Sequence, residues 1–333
     1  LDRRHAAFRQ RLSRTGSGRR ARVTFRNPPR PRFARVRYDA APLRLLFELR
    51  APDGRFRRWP ASAAAPLVSE WLADTAARLG DASRAEAERF VTGRTAGPRD
   101  KARRIRAFAL PTLGRYGDGL IRRVAVEIPA DCPIDREDLR WALGGSDAFS
   151  ERWGMPVPSA ATSMLDRYLG NGDRPARMWR SETALALPVK RRRLDPDETK
   201  AGSERADEET AAARAVATAL RHAGIGAALS HVSVRQEPFS GAGARAETFA
   251  ENTRFSGHQM WHAEVRFAEP VKGPVLLGNG RYAGLGLMRP IRETEVEGVG
   301  GRILAFRIAG GLKERQWDIV AQALRRATLA RFG

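Results

Sequence analysis

His258-Gln259-Met260-Trp261-His262-Ala263-Glu264-Val265-Arg266-Phe267 alternates along its length. Trp261, Ala263, Val265 and Phe267 fall on one face, and His262, Glu264 and Arg266 on the other. A period of two marks a half-buried strand, because successive side chains leave a strand on opposite sides. Upstream, 228–236 reads as another strand and 239–254 as a long loop. The alanine-rich stretch 204–222 reads as a helix closed by Gly224. Earlier still, 179–187 alternates and reads as a strand, with 190–200 as a solvated loop. Downstream, 271–277 reads as a short helix or turn and 285–288 as a short strand.

Taken in order, these segments spell β-α-β-β-α-β, the ferredoxin-like pattern also used by RNA recognition modules. A strand over 303–308 and a helix over 315–330 follow it. In the amino-terminal half, 43–49 reads as a strand. The segment 66–79 reads as a helix with Leu67, Trp71 and Leu72 on one side and Gly80 as its stop. A second short helix is expected over 83–91. Strands are expected over 105–110 and 120–128, and Asp135 opens a helix that ends at Gly144-Gly145. Residues 147–177 read as irregular apart from a short helix over 164–169. Residues 105–143 therefore begin a related, less complete unit. The expected fold class is α+β: tandem ferredoxin-like (RRM-like) domains behind a basic, extended amino-terminal portion. Gly93, Gly97 and Pro98 put the boundary between domains 1–98 and 99–333.

The chain of 333 residues holds 60 Lys plus Arg against 38 Asp plus Glu, a net charge of +22. Only five of those cations are lysines, and the arginine fork matches phosphate oxygens two at a time. This balance calls for a polyanionic partner. Between Arg3 and Arg37 there are thirteen arginines and no acid. Gly16, Gly18, Pro28, Pro29 and Pro31 keep this arm from being helical. It suits tracking a phosphate backbone, with Arg26, Arg30 and Arg32 as contacts and Phe25, Phe33, Val36 and Tyr38 as anchors. The single Cys132 excludes a disulfide framework and a thiolate zinc cluster. No apolar run approaches the roughly 18 residues of a membrane span. The first ten residues are basic without an apolar core and do not read as a signal peptide. A chain that opens on Leu1 is expected to be part of a longer one.

The sharpest local feature is Gly278-Asn279-Gly280-Arg281-Tyr282-Ala283-Gly284-Leu285-Gly286. Gly278, Gly280 and Gly284 permit positive φ and close backbone approach, and free N–H groups there suit an anion. Arg281 suits a phosphate, and Tyr282 suits a base. The loop lacks the Gly-Lys-Ser/Thr closure of a nucleotide-binding P-loop and the spacing of a dinucleotide fingerprint. The alternative is a tight turn before an edge strand. A second glycine loop over 111–119 carries Arg115 and Tyr116. Arg254 and Lys272 complete the phosphate-binding candidates. Of the five histidines, His262 and then His258 are the candidate acid or base. The alternative for each is a polar histidine on a sheet surface. There is no paired-carboxylate spacing for two metals, and neither a metal nor another cofactor is expected. Cleavage, where it occurs, is expected to use a ribose 2′-hydroxyl as nucleophile. That attack works only on RNA, leaves a 2′,3′-cyclic phosphate and draws on cations around the phosphate.

Five segments resemble a CRISPR-associated family of the type I-G (formerly I-U) surveillance complex, a fusion of the Cas-five and Cas-six subunits. They are Phe25-Arg26-Asn27-Pro28-Pro29-Arg30-Pro31; the stretch from Arg104-Ile105 to Leu120-Ile121-Arg122-Arg123-Val124; Arg235-Gln236-Glu237-Pro238-Phe239 with Gly243-Ala244-Arg245-Ala246-Glu247; Trp261-His262 through the glycine loop to Met288-Arg289-Pro290; and Ala323-Leu324-Arg325-Arg326-Ala327. The resemblance implies a handle-capping part in 1–98 and a repeat-RNA-processing part in 99–333. Its implied partners are guide RNA, precursor repeat RNA, the backbone and large subunits of the effector complex, and target DNA. It also implies a cytoplasmic location and no membrane. Where that family carries a Gly-His pattern, this chain has Gly114-Arg115-Tyr116. That departure favours an alternative, a catalytically inactive structural subunit that binds guide RNA.

Overall fold

A computed structural model of the chain describes residues 12–15, 22–25, 41–114, 117–170, 175–190 and 202–291. The chain divides into a unit Leu1–Ala41 and a unit Pro42–Gly333. In the first, β1 (Leu12–Thr15) pairs antiparallel with β2 (Arg22–Phe25). An extended arm was expected here, and its described residues form this short hairpin. Arg26, Arg30 and Arg32 lie outside the described residues, as do 303–308 and 315–330.

The second unit opens with β3 (Leu43–Arg50), α1 (Ala64–Arg78), β4 (Arg106–Pro111) and β5 (Ile121–Ile128). Next come α2 (Arg136–Ala142), α3 (Asp147–Trp153) and β6 (Met155–Pro158). The strands form an antiparallel sheet in the order β4-β5-β3-β6. This sheet takes strands from both sides of residue 98, so the expected boundary at 98/99 falls inside one structural layer. The glycines and proline of 92–100 make a connection within it. A helical turn (Arg84–Glu86) running into a π-helical turn (Ala87–Thr92) precedes that connection.

Alternation sorts the side chains of this sheet. Phe47, Leu49, Val124 and Val126 face α1, α2 and α3, where they bury Leu67, Val68, Trp71, Leu139 and Phe149. Trp71 is fully buried, meets Phe47 edge-on at 5.3 Å and donates its indole N–H to Leu143 O at 3.1 Å. Burying an indole is affordable only with such a partner for its N–H. Asp135 caps α2 by accepting from the N–H groups of Glu137 and Asp138, as its place in the sequence predicts. Leu46, Phe108, Leu110 and Ala125 point the other way. There they meet Leu165, Tyr168 and Leu169 of α4 (Ser163–Leu169) and two residues of the second sheet, Leu276 and Leu287.

The second sheet holds β7 (Ala176–Ser181), β8 (Leu185–Lys190), β9 (Leu229–Arg235), β10 (His258–Val271), β11 (Val275–Leu276) and β12 (Leu287–Ile291). Its order is β11-β12-β7-β10, with β8 and β9 also paired to β10, all antiparallel. The stretch expected as one strand over 179–187 is interrupted at 182–184, and β8 takes over from β7 along β10. The expected apolar face of β10 packs as read: Trp261, Ala263, Val265 and Phe267 cover Ala212, Val216 and Leu220 of α5 (Gly202–His222).

The helix or turn expected over 271–277 is instead the two-residue strand β11. Pro274 has no N–H to give a helix there, and β11 is held by pairing with β12. The molecule is thus a mixed α+β chain with antiparallel sheets. No helix among the described residues is long and apolar enough to cross a membrane.

Candidate nucleic-acid interface

Ala61, in the 3-10 turn before α1, and Ala65, at the start of α1, pack with Ala184, Ala186, Phe249, Phe255, Met260, Ala283 and Leu285 of the second sheet and its loops. Above this contact lies a cleft of about 320 Å³. One wall is the α1 face of Ala65, Pro66, Ser69, Leu72 and Ala73; Thr92, Arg94, Asn252 to Phe255, Tyr282 and Ala283 supply the rest. No carboxylate lines it.

Four arginines gather here from three segments. Arg94 and Arg254 line the cleft. The Arg104 guanidinium lies 4.3 Å from the centre of the Tyr282 ring, and that of Arg281 lies 4.8 Å from it. Tyr282 is held by its hydroxyl, which donates to Lys101 O at 2.7 Å. Arg254 lies over Phe255 at 5.0 Å. Arg104 donates to Thr92 O at 3.0 Å, yet its buried Nε has no partner. Burial holds the Arg104 guanidinium below its ordinary range, and Arg254 and Arg281 push it the same way, against the opposing effect of Tyr282. None of the four pairs with a carboxylate among the described residues. Like charges concentrated without acids raise the local potential toward anions.

Gly93 explains how Arg104 reaches this position. It sits at φ 70°, and a Cβ there would lie 1.9 Å from the Arg104 Cζ. The missing side chain lets the guanidinium lie against the backbone. Arg94 and Arg104 were not among the candidates read from the sequence. The available signal was the Arg103-Arg104 pair directly before a strand, just after the stretch 92–100 read as a domain boundary.

Arg254, Arg281 and Tyr282 are brought together as candidates, while Lys272 lies elsewhere. Lys272 lines a separate cavity with Arg44, Arg106 and Glu127, where Glu127 is already paired with both arginines. Arg115 and Tyr116 lie outside the described residues. From β5, Arg122 holds Asp118 of the same loop at 2.6 Å, and this hydrogen bond is the main reason the Asp118 carboxyl is lowered to about 2.

The glycine loop is mostly self-satisfied. The N–H groups of Asn279 and Gly286 donate to Ala186 O and Ala184 O, and those of Arg281, Ala283 and Leu285 to carbonyls of Gly278 and Gly280. An unbroken nest of free donors is therefore not formed. The glycines serve close approach: a Cβ at Gly278 would meet Ala186 O at 2.8 Å, and one at Gly280 would meet Leu285 Cβ at 2.7 Å.

The expectation of His262 as acid or base meets a ring that is 0% exposed. Its Nε2–H donates to Ala244 O at 2.9 Å, since a carbonyl can only accept. Its Nδ1 then accepts from the Ser181 hydroxyl at 3.1 Å, and Ser181 Oγ in turn accepts from the Ala263 N–H at 3.0 Å. Both ring nitrogens are occupied by the neutral form, and no edge is open to a substrate. Only the His262 end of the face expected to be polar is covered, because Ala244 and Phe249 fold over it, while Arg266 is exposed as expected. His258 is half-buried, with its ring edge-on to Phe255 at 5.6 Å. No cluster of His, Cys, Asp or Glu among the described residues is arranged to hold a metal ion.

Burial pushes the His262 imidazole below its ordinary pKa. The folded state thus disfavours the protonated ring. Its contribution to stability is present above the unfolded value of about 6.5 and is lost as pH falls below it. Thermal unfolding between about pH 7 and pH 5 should therefore show a steeper loss for the native chain than for His262→Gln, which cannot titrate. Parallel pH profiles for the two proteins would remove this role.

Comparison with protein-family models, with curated proteins and with solved structures returned no match.

Proposed function

We propose that the chain is an RNA-binding subunit of a type I CRISPR effector complex, built on two ferredoxin-like units in tandem. The observation that carries RNA binding is the cleft lined by Arg94, Arg254 and Tyr282 with no carboxylate, where Arg104 and Arg281 lie over the Tyr282 ring. A net charge of +22 supports a polyanionic partner more broadly. The ferredoxin-like part of the proposal is supported by strand order. With β8 and β11 left out and the remaining strands of each sheet numbered in chain order, β6-β3-β5-β4 and β12-β7-β10-β9 both read 4-1-3-2, though no described helix joins β10 to β12. The CRISPR part is supported by the five segments that resemble the Cas-five/Cas-six fusion family. On this reading the partners are guide and precursor repeat RNA, the other subunits of the complex and target DNA, in the cytoplasm.

Binding is favoured over cleavage because His262 is enclosed and bonded at both nitrogens. A metal-independent endoribonuclease is the second reading, and His258 is the observation that favours it. Its ring abuts Phe255, which lines the cleft. Labelled repeat RNA in chelator, beside a copy whose cut-site ribose is 2′-deoxy, separates the two. Retention without a cut is the expected result. One discrete cut, blocked by the deoxy sugar and lost in His258→Ala, would establish the enzyme. Failure to retain repeat RNA in preference to unrelated hairpins would overturn the proposal.

A further inference from the structure

Resting on that RNA-binding reading, we propose that the cleft receives one unpaired nucleotide whole, with its base against the α1 wall and its phosphate among the arginines. A phosphate site needs only cations and donors, and this cleft has a second, different side. Ala65, Pro66, Ser69, Leu72 and Ala73 recur on one face of α1 and turn it toward the cleft. Four of these five are small residues, so the helix leaves a trough where larger side chains would fill it. Phe255 and Ala283 line the cleft as well. The volume of about 320 Å³ lies within the range of small-ligand sites, roughly 300 to 1,000 Å³.

Tyr282 does not supply the stacking surface, because two guanidiniums already lie over its ring. The base therefore goes to the apolar wall, and the sugar-phosphate to Arg94, Arg254 and Arg281. At the rim, Ser69 and Asn252 are exposed and carry side-chain donors and acceptors that suit a base edge. A paired base is held in its stack and cannot enter such a trough, so the ligand is an unpaired nucleotide.

The test titrates the full chain with inorganic phosphate, ribose 5-phosphate and the four nucleoside monophosphates by calorimetry, with RNA binding measured in parallel. Nucleoside monophosphates should bind roughly tenfold tighter than phosphate, the effect of enclosing one base. Ala73→Phe and Ser69→Phe both change exposed helix positions and fill the trough. They should bring the nucleotides down to the affinity of phosphate. Arg254→Ala with Arg281→Ala should weaken phosphate and nucleotides alike. Equal affinity for phosphate and nucleotides, or no binding of either by a chain that still binds RNA, overturns the nucleotide slot and leaves RNA binding standing. A chain that binds nucleotides as expected but no RNA keeps the slot and overturns the proposed function.

Discussion

Arg254→Ala combined with Arg281→Ala should lower RNA affinity by about a hundredfold at low salt while changing the stability of the fold little. The two parts of this expectation have one cause. Each guanidinium that holds a phosphate contributes a charge-assisted bond of about 1.5 to 3 kcal/mol, so losing two removes about 3 kcal/mol or more. Each contact also releases counterions, so the salt dependence should flatten by roughly 1.4 in log–log slope for a single strand. In the free protein these arginines repel Arg104, adding to the burial that chiefly holds its guanidinium below its ordinary range. Removing them relieves that repulsion but also removes the Arg281 hydrogen bond to Gly278 O at 3.1 Å and the contacts on Phe255 and Tyr282, so the melting temperature should change little. Binding titrations across a salt series, with thermal melts of the same samples, check both halves. A double variant that melts much earlier and binds RNA with an unchanged slope would make the cluster structural.

That cluster also marks the limit of what local reading can reach. The strand over 258–267 was legible because alternation is a property of neighbours in sequence, and its apolar half packs on α5 as read. The helices around 64–78, 136–142 and 202–222 were legible for a similar local reason, the periodicity of their apolar residues and their capping residues. The first sheet was only half seen. Its middle pair joins Leu43 to Ile128 and Phe47 to Val124, contacts between segments that carry no local mark of each other. The glycines between them suggested a break. The cleft was harder still, since α1, Thr92, Arg94, 252–255 and 282–283 meet only once both sheets have packed. Arg254, Arg281 and Tyr282 were found because a glycine loop draws attention to its neighbours. Arg104 was missed because its role depends on Gly93 lacking a side chain. The enclosure of His262 was out of reach for a related reason: its alternation places it on the face opposite Trp261, but only the fold shows that Ala244 and Phe249 close over it.

The glycine loop supplies the other large effect, and there the sequence suggested phosphate where the geometry points to packing. Gly284 sits at φ 79°, and a Cβ there would lie 2.7 Å from Val68 Cγ2 and 2.8 Å from Ala64 O. Both contacts are on or at the start of α1, so this glycine lets the loop seat against the first sheet's helix layer. An L-residue in this region costs about 1 to 2 kcal/mol, and forcing a methyl into a packed contact costs a further 1 to 3 kcal/mol. Gly284→Ala should therefore lose about 3 kcal/mol in urea unfolding, and Gly284→Val more. Gly241→Ala is the control: its Cβ meets nothing within 4 Å, its φ is not positive, and its change should stay within about 0.5 kcal/mol. Because Tyr282 and Ala283 precede Gly284 and line the cleft, RNA affinity should fall along with stability. A phosphate-cradling glycine would behave differently, with Gly284→Ala losing RNA affinity at unchanged stability. Measuring both quantities on one preparation decides whether the loop acts by holding the anion or by holding the two layers together.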